Sequence, residues 1–392
     1  MTHNHPMAGE TSAQQRERYS RHLLLPQVGA AGQEKLHHAR VLVVGAGGLG
    51  APVLTYLAAA GVGTLGVIDD DIVDRSNLQR QVIHRTNAMG NKKVTSARAF
   101  IADLNPNIHV ETIDARLNAE NVFEVIDSYD IVVDGTDNFP TRYLLNDACV
   151  VRKKPYVWAA IFQFNAMVSI FHAGHGPCYR CIYPTPPPPG SVPSCAEGGV
   201  IGVLPGLVGT TQALETIKLI LDVGSPLRGR LASLDGLAGQ WEYLPAASSP
   251  HCPSCAPDLQ RTAADVIAEW TQKAPEEPKP RDVVQNSENS EVAARDLDEF
   301  LATHSARLID VRTPGEMEIV SIPGAENIEL THILGNPDVG PKERHLVLMC
   351  RSGARSAQAA ARLRSSGYEN VYELTGGVLD WVRDVAPGEA VY

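Results

Sequence analysis

The sequence has no surplus of positive charge: 34 Lys and Arg stand against 45 Asp and Glu, a formal net charge of −11 over 392 residues. That balance excludes a global nucleic-acid footprint, because phosphate backbones are held by clustered cations. The first twenty residues contain no apolar run, so no secretory leader is expected and a cytoplasmic setting follows. A convincing membrane span is missing too. Val41 to Ile68 carries no charge and is long enough to cross a bilayer, but its seven glycines and one proline fit strand, turn, helix and strand better than one lipid-facing helix. The cysteines, seven and therefore odd in number, do not suit a disulfide scaffold in a chain without a leader. There is no internal repeat, only a local proline run from Pro184 to Pro193, read as a stiff surface crossing or an active-site loop.

What is present divides the chain by composition. Residues 1–35 read as an arm and first helix. Residues 36–271 alternate strand and helix patterns (VLVVGAG, an Ala-rich helix, TLGVIDDD, a helix from Lys92 to Leu104, HVETIDA, DIVVDGTD), the rhythm of a Rossmann-like, mostly parallel sheet with helices on both faces. Residues 272–292, rich in Pro, Glu, Asn and Ser, have too little apolar content to order and read as a linker. Residues 293–392 alternate again, as a second, small α/β domain.

Gly45-x-Gly47-Gly48-x-Gly50 follows a Val-rich strand and opens a helix, so its amides are expected to approach phosphates at a positive helix end. Asp69 ends the next strand, where a ribose-binding acid would stand. These features fit NAD as well as ATP. The following residues favour ATP: beyond Asp69 and Asp71 come Ser76, Asn77, Leu78, Gln79 and Arg80, then Lys93, then Asp137 and Asn138 after another strand. Adenylyl transfer has to neutralise three phosphates and a departing pyrophosphate, for which Arg80 and Lys93 supply charge. Asp137 is placed to hold Mg²⁺, with capping of the helix it precedes as the bland alternative, and it could serve both.

Cys178-x-x-Cys181 and Cys252-x-x-Cys255 are two knuckles whose four thiolates would close a structural Zn²⁺ site. Cys149, in an apolar stretch, reads as core. Cys195, in PSCAEGG, reads by itself as a small buried hydrophobe. Cys350 ends HLVLMC and starts the loop Arg351-Ser352-Gly353-Ala354-Arg355-Ser356 ahead of a helix from Ser356 to Ser366. Successive amides there form an anion nest, and the helix N-terminus with two arginines is expected to favour a thiolate. A cysteine phosphatase spaces Cys and Arg by one residue more, so the shorter loop suits a persulfide.

GAGGLG, DxD, SNLxRQ, Lys93 and TDNxxxR, preceded by RYSRH, resemble the ubiquitin-activating superfamily over residues 15 to about 256, specifically the MoeB/ThiF-like adenylyltransferases that activate sulfur carriers. The resemblance implies ATP, Mg²⁺ and Zn²⁺ as cofactors, nucleotide contacts from Asp69 and Asn77, phosphate orientation by Arg80 and Lys93, and Mg²⁺ on Asp137. It further implies that Arg21 reaches the triphosphate of a second subunit in a homodimer, and that Cys195 accepts the activated carrier. LIDVRTPGEMEIVSIPGAENI, the Cys350 loop and LTGG resemble a rhodanese, whose cysteine carries sulfane sulfur. Together these imply adenylation of a ubiquitin-like carrier ending in Gly-Gly, then sulfur transfer from Cys350, loaded by thiosulfate or a cysteine desulfurase persulfide. Two departures stand out: Ser321 where the family often has His, and Ile161 to Phe171, where an Arg and a Glu-Gly pair are common. The second bears on carrier recognition. The alternatives are an NAD-dependent oxidoreductase, resting on the glycine loop and Asp69 alone, and a non-catalytic protein holding partners on an inert nucleotide fold; an inert rhodanese fold is the alternative for the second domain.

Overall fold

The computed structural model describes residues 12–187, 199–272 and 290–390. The chain divides into two compact units, Met1–Ala274 and Pro275–Tyr392. In the first unit β1 (Arg40–Val44), β2 (Thr64–Ile68), β3 (His109–Ile113), β4 (Ile131–Asp134) and β5 (Tyr156–Phe162) run parallel. β6 (Asn165–Phe171), β7 (Arg230–Asp235) and β8 (Gln240–Pro245) extend the sheet antiparallel, in the order β3-β2-β1-β4-β5-β6-β7-β8. Val41–Val44 and Ile131–Val133 are buried throughout, which explains their unbroken apolar spelling: helices cover both faces of a parallel sheet.

The uncharged segment Val41–Ile68 resolves into β1, the helix Gly50–Ala60 and β2, and among the described residues no helix is long and apolar enough to cross a membrane. Chain order reverses between β1 and β4. Such a reversal opens a crevice at the C-terminal strand ends, because the loops leave in opposite directions. Gly45–Gly50 after β1, Asp69 after β2 and Asp137 after β4 all fall there. Buried apolar groups fill both faces, one cluster centred on Leu54, Val67 and Val208, the other on Tyr143, Trp158 and Phe171.

The second unit is a five-stranded parallel sheet of order β11-β10-β12-β13-β9, with β9 (Glu291–Val292), β10 (Arg307–Asp310), β11 (Glu326–Asn327), β12 (Leu346–Met349) and β13 (Val371–Leu374). Glu291 and Val292, at the end of the stretch read as linker, form the edge strand β9 on β13. The LIDVR segment owes its charged residues to a buried pair: Arg312 forks onto Asp310 at 2.6–3.0 Å and also donates to the Val320 carbonyl. Cys350 follows the central strand β12.

Candidate functional site

The glycine loop is tight for steric reasons. Gly45 takes φ +92°, and a Cβ at Gly50 would sit 1.9 Å from the Gly45 carbonyl oxygen. The loop opens onto a cleft of about 1230 Å³ lined by Gly45, Gly47, Gly48, Asp69, Asp71, Asn77, Arg80, Lys93, Asp137 and Asn138. Ten expected nucleotide contacts, from the connections after β1, β2 and β4 and from the first residue of the helix Lys93–Leu104, thus meet in one cavity.

Four others do not line it. Gly50 serves the loop's own packing, and Ser76 turns its hydroxyl to Asp74 Oδ1 at 2.6 Å. Leu78 and Gln79 fall off the face shared by Asn77 and Arg80, which are three apart on a 3₁₀-type turn; the Gln79 carbonyl packs against Gly202 instead.

Lys93, only 5% exposed, opens the helix Lys93–Leu104 and donates to Asp71 Oδ2 at 2.8 Å. Asp69 differs from the simple ribose-binding picture. Its Oδ2 accepts from the Ala46 amide at 2.7 Å and its Oδ1 from the Asp71 amide at 2.9 Å, so it also clamps the glycine loop. Burial raises its pKa above the usual carboxylate value, against the opposing pull of Lys93. Asp137 is not the helix cap: Asn138 Oδ1 accepts from the Thr141 amide at 2.9 Å and starts Phe139–Arg152. The Asp137 carboxylate is therefore left to the cleft it lines. Arg21 is exposed on the short helix Ser20–Leu23, outside the cleft of its own chain.

Sequence reasoning did not assign Arg116, Arg142, or the aromatic wall of Tyr143, Trp158, Tyr179 and Tyr183, all of which line the cleft. Arg142 was legible within TDNxxxR; it lies over the Phe139 and Trp158 rings and donates to the Thr136 carbonyl. The aromatics come from three elements distant in sequence and carried no signal. Phe162, Asn165, Ala166 and Met167, in the departing segment, line the cleft from the β5–β6 hairpin, and Pro184–Pro187 line it from the start of the proline run. The rest of that run and Cys195 lie outside the described residues.

The four knuckle sulfurs converge. Cys178 and Cys252 Sγ are 3.4 Å apart, Cys181 and Cys255 3.4 Å, Cys178 and Cys181 3.9 Å, and all four lie within 4.8 Å of one another. Four thiolates around one zinc need S···S separations of about 3.8 Å, so the donor set fits. Behind them is a buried ionic hub. Asp147 accepts from Arg180 at 2.7 and 2.8 Å, from Ser254 Oγ at 2.8 Å and from Trp270 Nε1 at 3.0 Å, and it pairs with Arg261 at 3.2 Å. Burial would raise its pKa, but the Arg180 bonds, with Arg261 and Trp270, hold the carboxyl below its usual value. Cys149 is core, its thiol pushed up by burial.

In the second unit Cys350 is 1% exposed, and its Sγ accepts from the Gly353 amide at 3.1 Å and from Ser356 Oγ at 3.6 Å. Gly353 takes φ +102° and opens the helix Ala354–Ser365. The LTGG signature has a local cause: a Cβ at Gly377 would lie 2.4 Å from the Cys350 carbonyl oxygen, and the Val378 amide bonds that oxygen at 2.9 Å. Arg355 is not simply aimed at the thiol. It donates to both oxygens of the buried Glu316 at 2.6 and 2.7 Å, because a carboxylate so enclosed requires a cation. Ser321 is exposed.

Fold and sites define an adenylating nucleotide-binding unit tied by a cysteine cluster and followed by a cysteine-loop sulfurtransferase unit. The ThiF family profile matches residues 19–254 and the rhodanese-like domain profile residues 293–384. The chain belongs to the ThiF family and ends in a rhodanese-like domain. It is 42% identical, over 99% of its length and 98% of the relative's, to the probable adenylyltransferase/sulfurtransferase MoeZ of Mycobacterium tuberculosis. It is 50% identical to the sulfur carrier protein adenylyltransferase of Thermus thermophilus, over 64% of this chain and 95% of that one. Among solved structures, Escherichia coli MccB with MccA-N7isoASN superposes with a TM-score of 0.55 at 24% identity, covering 63% of this chain and 75% of that one, a likeness of fold. The chain is thus an enzyme of the adenylyltransferase/sulfurtransferase kind.

Proposed function

We propose that the protein adenylates the C-terminal glycine of a ubiquitin-like sulfur carrier ending in Gly-Gly and converts it to a thiocarboxylate. The observation that carries this reading is the cleft in which the glycine loop, Arg80, Lys93 and Asp137 meet, in a chain that also holds Cys350 with its Sγ accepting from the Gly353 amide. The carrier carboxylate attacks the α-phosphorus of ATP, the bond to the β-phosphate breaks, and pyrophosphate leaves as its charge is met by Arg80 and Lys93. Asp137 would hold Mg²⁺, which when bound neutralises triphosphate charge. A persulfide on Cys350, loaded by thiosulfate or a desulfurase persulfide, attacks the acyl carbon and AMP leaves. A thiol reductant then cleaves the resulting acyl disulfide, releasing the thiocarboxylate and regenerating the Cys350 thiol.

Cys195 is the proposed alternative acceptor for the activated acyl group, and Cys178, Cys181, Cys252 and Cys255 the proposed structural zinc ligands. The homodimer reading is supported by the exposed position of Arg21 and by Val203, Leu207 and Leu214, exposed along one face of the helix Val203–Leu221.

The test is intact mass spectrometry of a Gly-Gly-ended carrier incubated with the protein, MgATP, thiosulfate and a thiol reductant. A gain equal to the difference between sulfur and oxygen, dependent on ATP and on Cys350, is expected. Preference for a nicotinamide cofactor over ATP would favour the oxidoreductase alternative, and the absence of AMP release with any carrier the non-catalytic one.

A further inference from the structure

His84 lies beneath the glycine loop, 5% exposed, with both ring nitrogens engaged. Nε2 is 2.9 Å from the Ala46 carbonyl oxygen and Nδ1 is 2.9 Å from Ser96 Oγ. A carbonyl only accepts, so Nε2 carries the proton; in the neutral ring Nδ1 then accepts from the Ser96 hydroxyl, which fixes the tautomer. Burial keeps the ring neutral by lowering its pKa, with Lys93 adding to that and Asp69 and the Ala46 bond opposing it. The amide of the same residue, Ala46, donates to Asp69 at 2.7 Å. Ala46 is therefore gripped at both polar groups, its N–H from the end of β2 and its C=O from His84. Ser96, which sets the His84 ring, sits one turn beyond Lys93 on the helix Lys93–Leu104.

We infer that His84 is a positioning residue for nucleotide binding: with Ser96 it holds the Ala46 peptide so that the neighbouring amides face the phosphates, and it ties the loop to the helix that carries Lys93. This role rests on the adenylation reading above. It also accounts for a buried histidine that touches none of the reacting groups.

The test is ATP affinity by calorimetry and ATP–pyrophosphate exchange on the full chain. His84→Gln keeps a donor near the Nε2 position, whereas His84→Asn can reach only toward Ser96. His84→Asn is expected to raise the ATP Kd and KM about tenfold, with kcat altered far less, since one buried hydrogen bond that aligns the ground state is lost. His84→Gln is expected to restore most of that loss. Equal ATP affinity in His84→Asn and wild type, or His84→Gln no better than His84→Asn, would overturn the role. Should both variants fail to fold, imidazole ¹⁵N NMR of the wild type decides: a neutral, Nε2-protonated His84 whose signal moves on adding ATP is expected, and a Nδ1-protonated ring or a signal indifferent to ATP would overturn it. Failure of the wild type to bind ATP would instead remove the adenylation reading itself, and this role with it.

Discussion

Asp137 and Cys350 stand in different compact units, and each belongs to a different half of the proposed chemistry. Cys350→Ala is expected to abolish thiocarboxylate formation while ATP–pyrophosphate exchange continues; loss of both would refute the division of labour. Asp137→Ala should suppress exchange by at least about a hundredfold, as removal of a charge-stabilising group does, and leave sulfur loading of Cys350 intact. Asp147 makes a stability prediction. Its folded-state pKa lies below the ordinary 3.8, so its contribution is present above that value and is lost as pH falls through the folded pKa. Asp147→Asn should cost up to about 3 kcal/mol near neutrality, because Arg180 and Arg261 keep only the partly exposed Glu269 as a carboxylate partner, and should flatten the acid limb of the stability profile below about pH 4. Denaturant titrations from pH 2 to 7 would check both effects.

At the scale of elements, the two Cys-x-x-Cys knuckles join the short helix Tyr179–Ile182 after β6 to a turn after β8, and Asp147 ties both to the helix Phe139–Arg152 and to Ala263–Gln272 through Trp270. The purified protein is expected to contain one zinc per chain. Cys252→Ser should lose it and lower the melting temperature of the first unit by at least about 5 °C, measured by calorimetry with metal analysis. A fully metal-loaded, equally stable variant would count against the zinc site. Much of this element-level arrangement was readable: both knuckles, the glycine turn and the Cys350 loop are local spacings, and local geometry follows from local sequence. The assignment of Asp137 as a possible cap was not readable, because Asp137 and Asn138 are equally good caps and only the backbone path chose between them.

The whole molecule carries separate cores. Val67 and Trp158 belong to clusters of the first unit, Met349 and Leu348 to clusters of the second. Leu348→Ala, at a fully buried position, should destabilise the second unit by about 2–5 kcal/mol and move only one of two calorimetric transitions. ATP–pyrophosphate exchange should persist in that variant. A single transition shifted as a whole would mean that the units unfold together.

The sequence by itself determined the two-unit α/β plan, the glycine loop, the paired cysteine knuckles and the loop that starts at Cys350, because each is spelled by residues within a few positions of one another. Tertiary structure alone decided how they are used. It showed that Asp69 clamps the loop it was expected to sit beside, that Arg355 is held by a carboxylate 39 positions away, and that four aromatics from three elements wall the cleft. It also placed His84 under Ala46, 38 positions earlier in the chain. Such contacts depend on strand order and on which side chains share a crevice. Neither follows from spacing along the chain, since the same local pattern can be folded against many different neighbours.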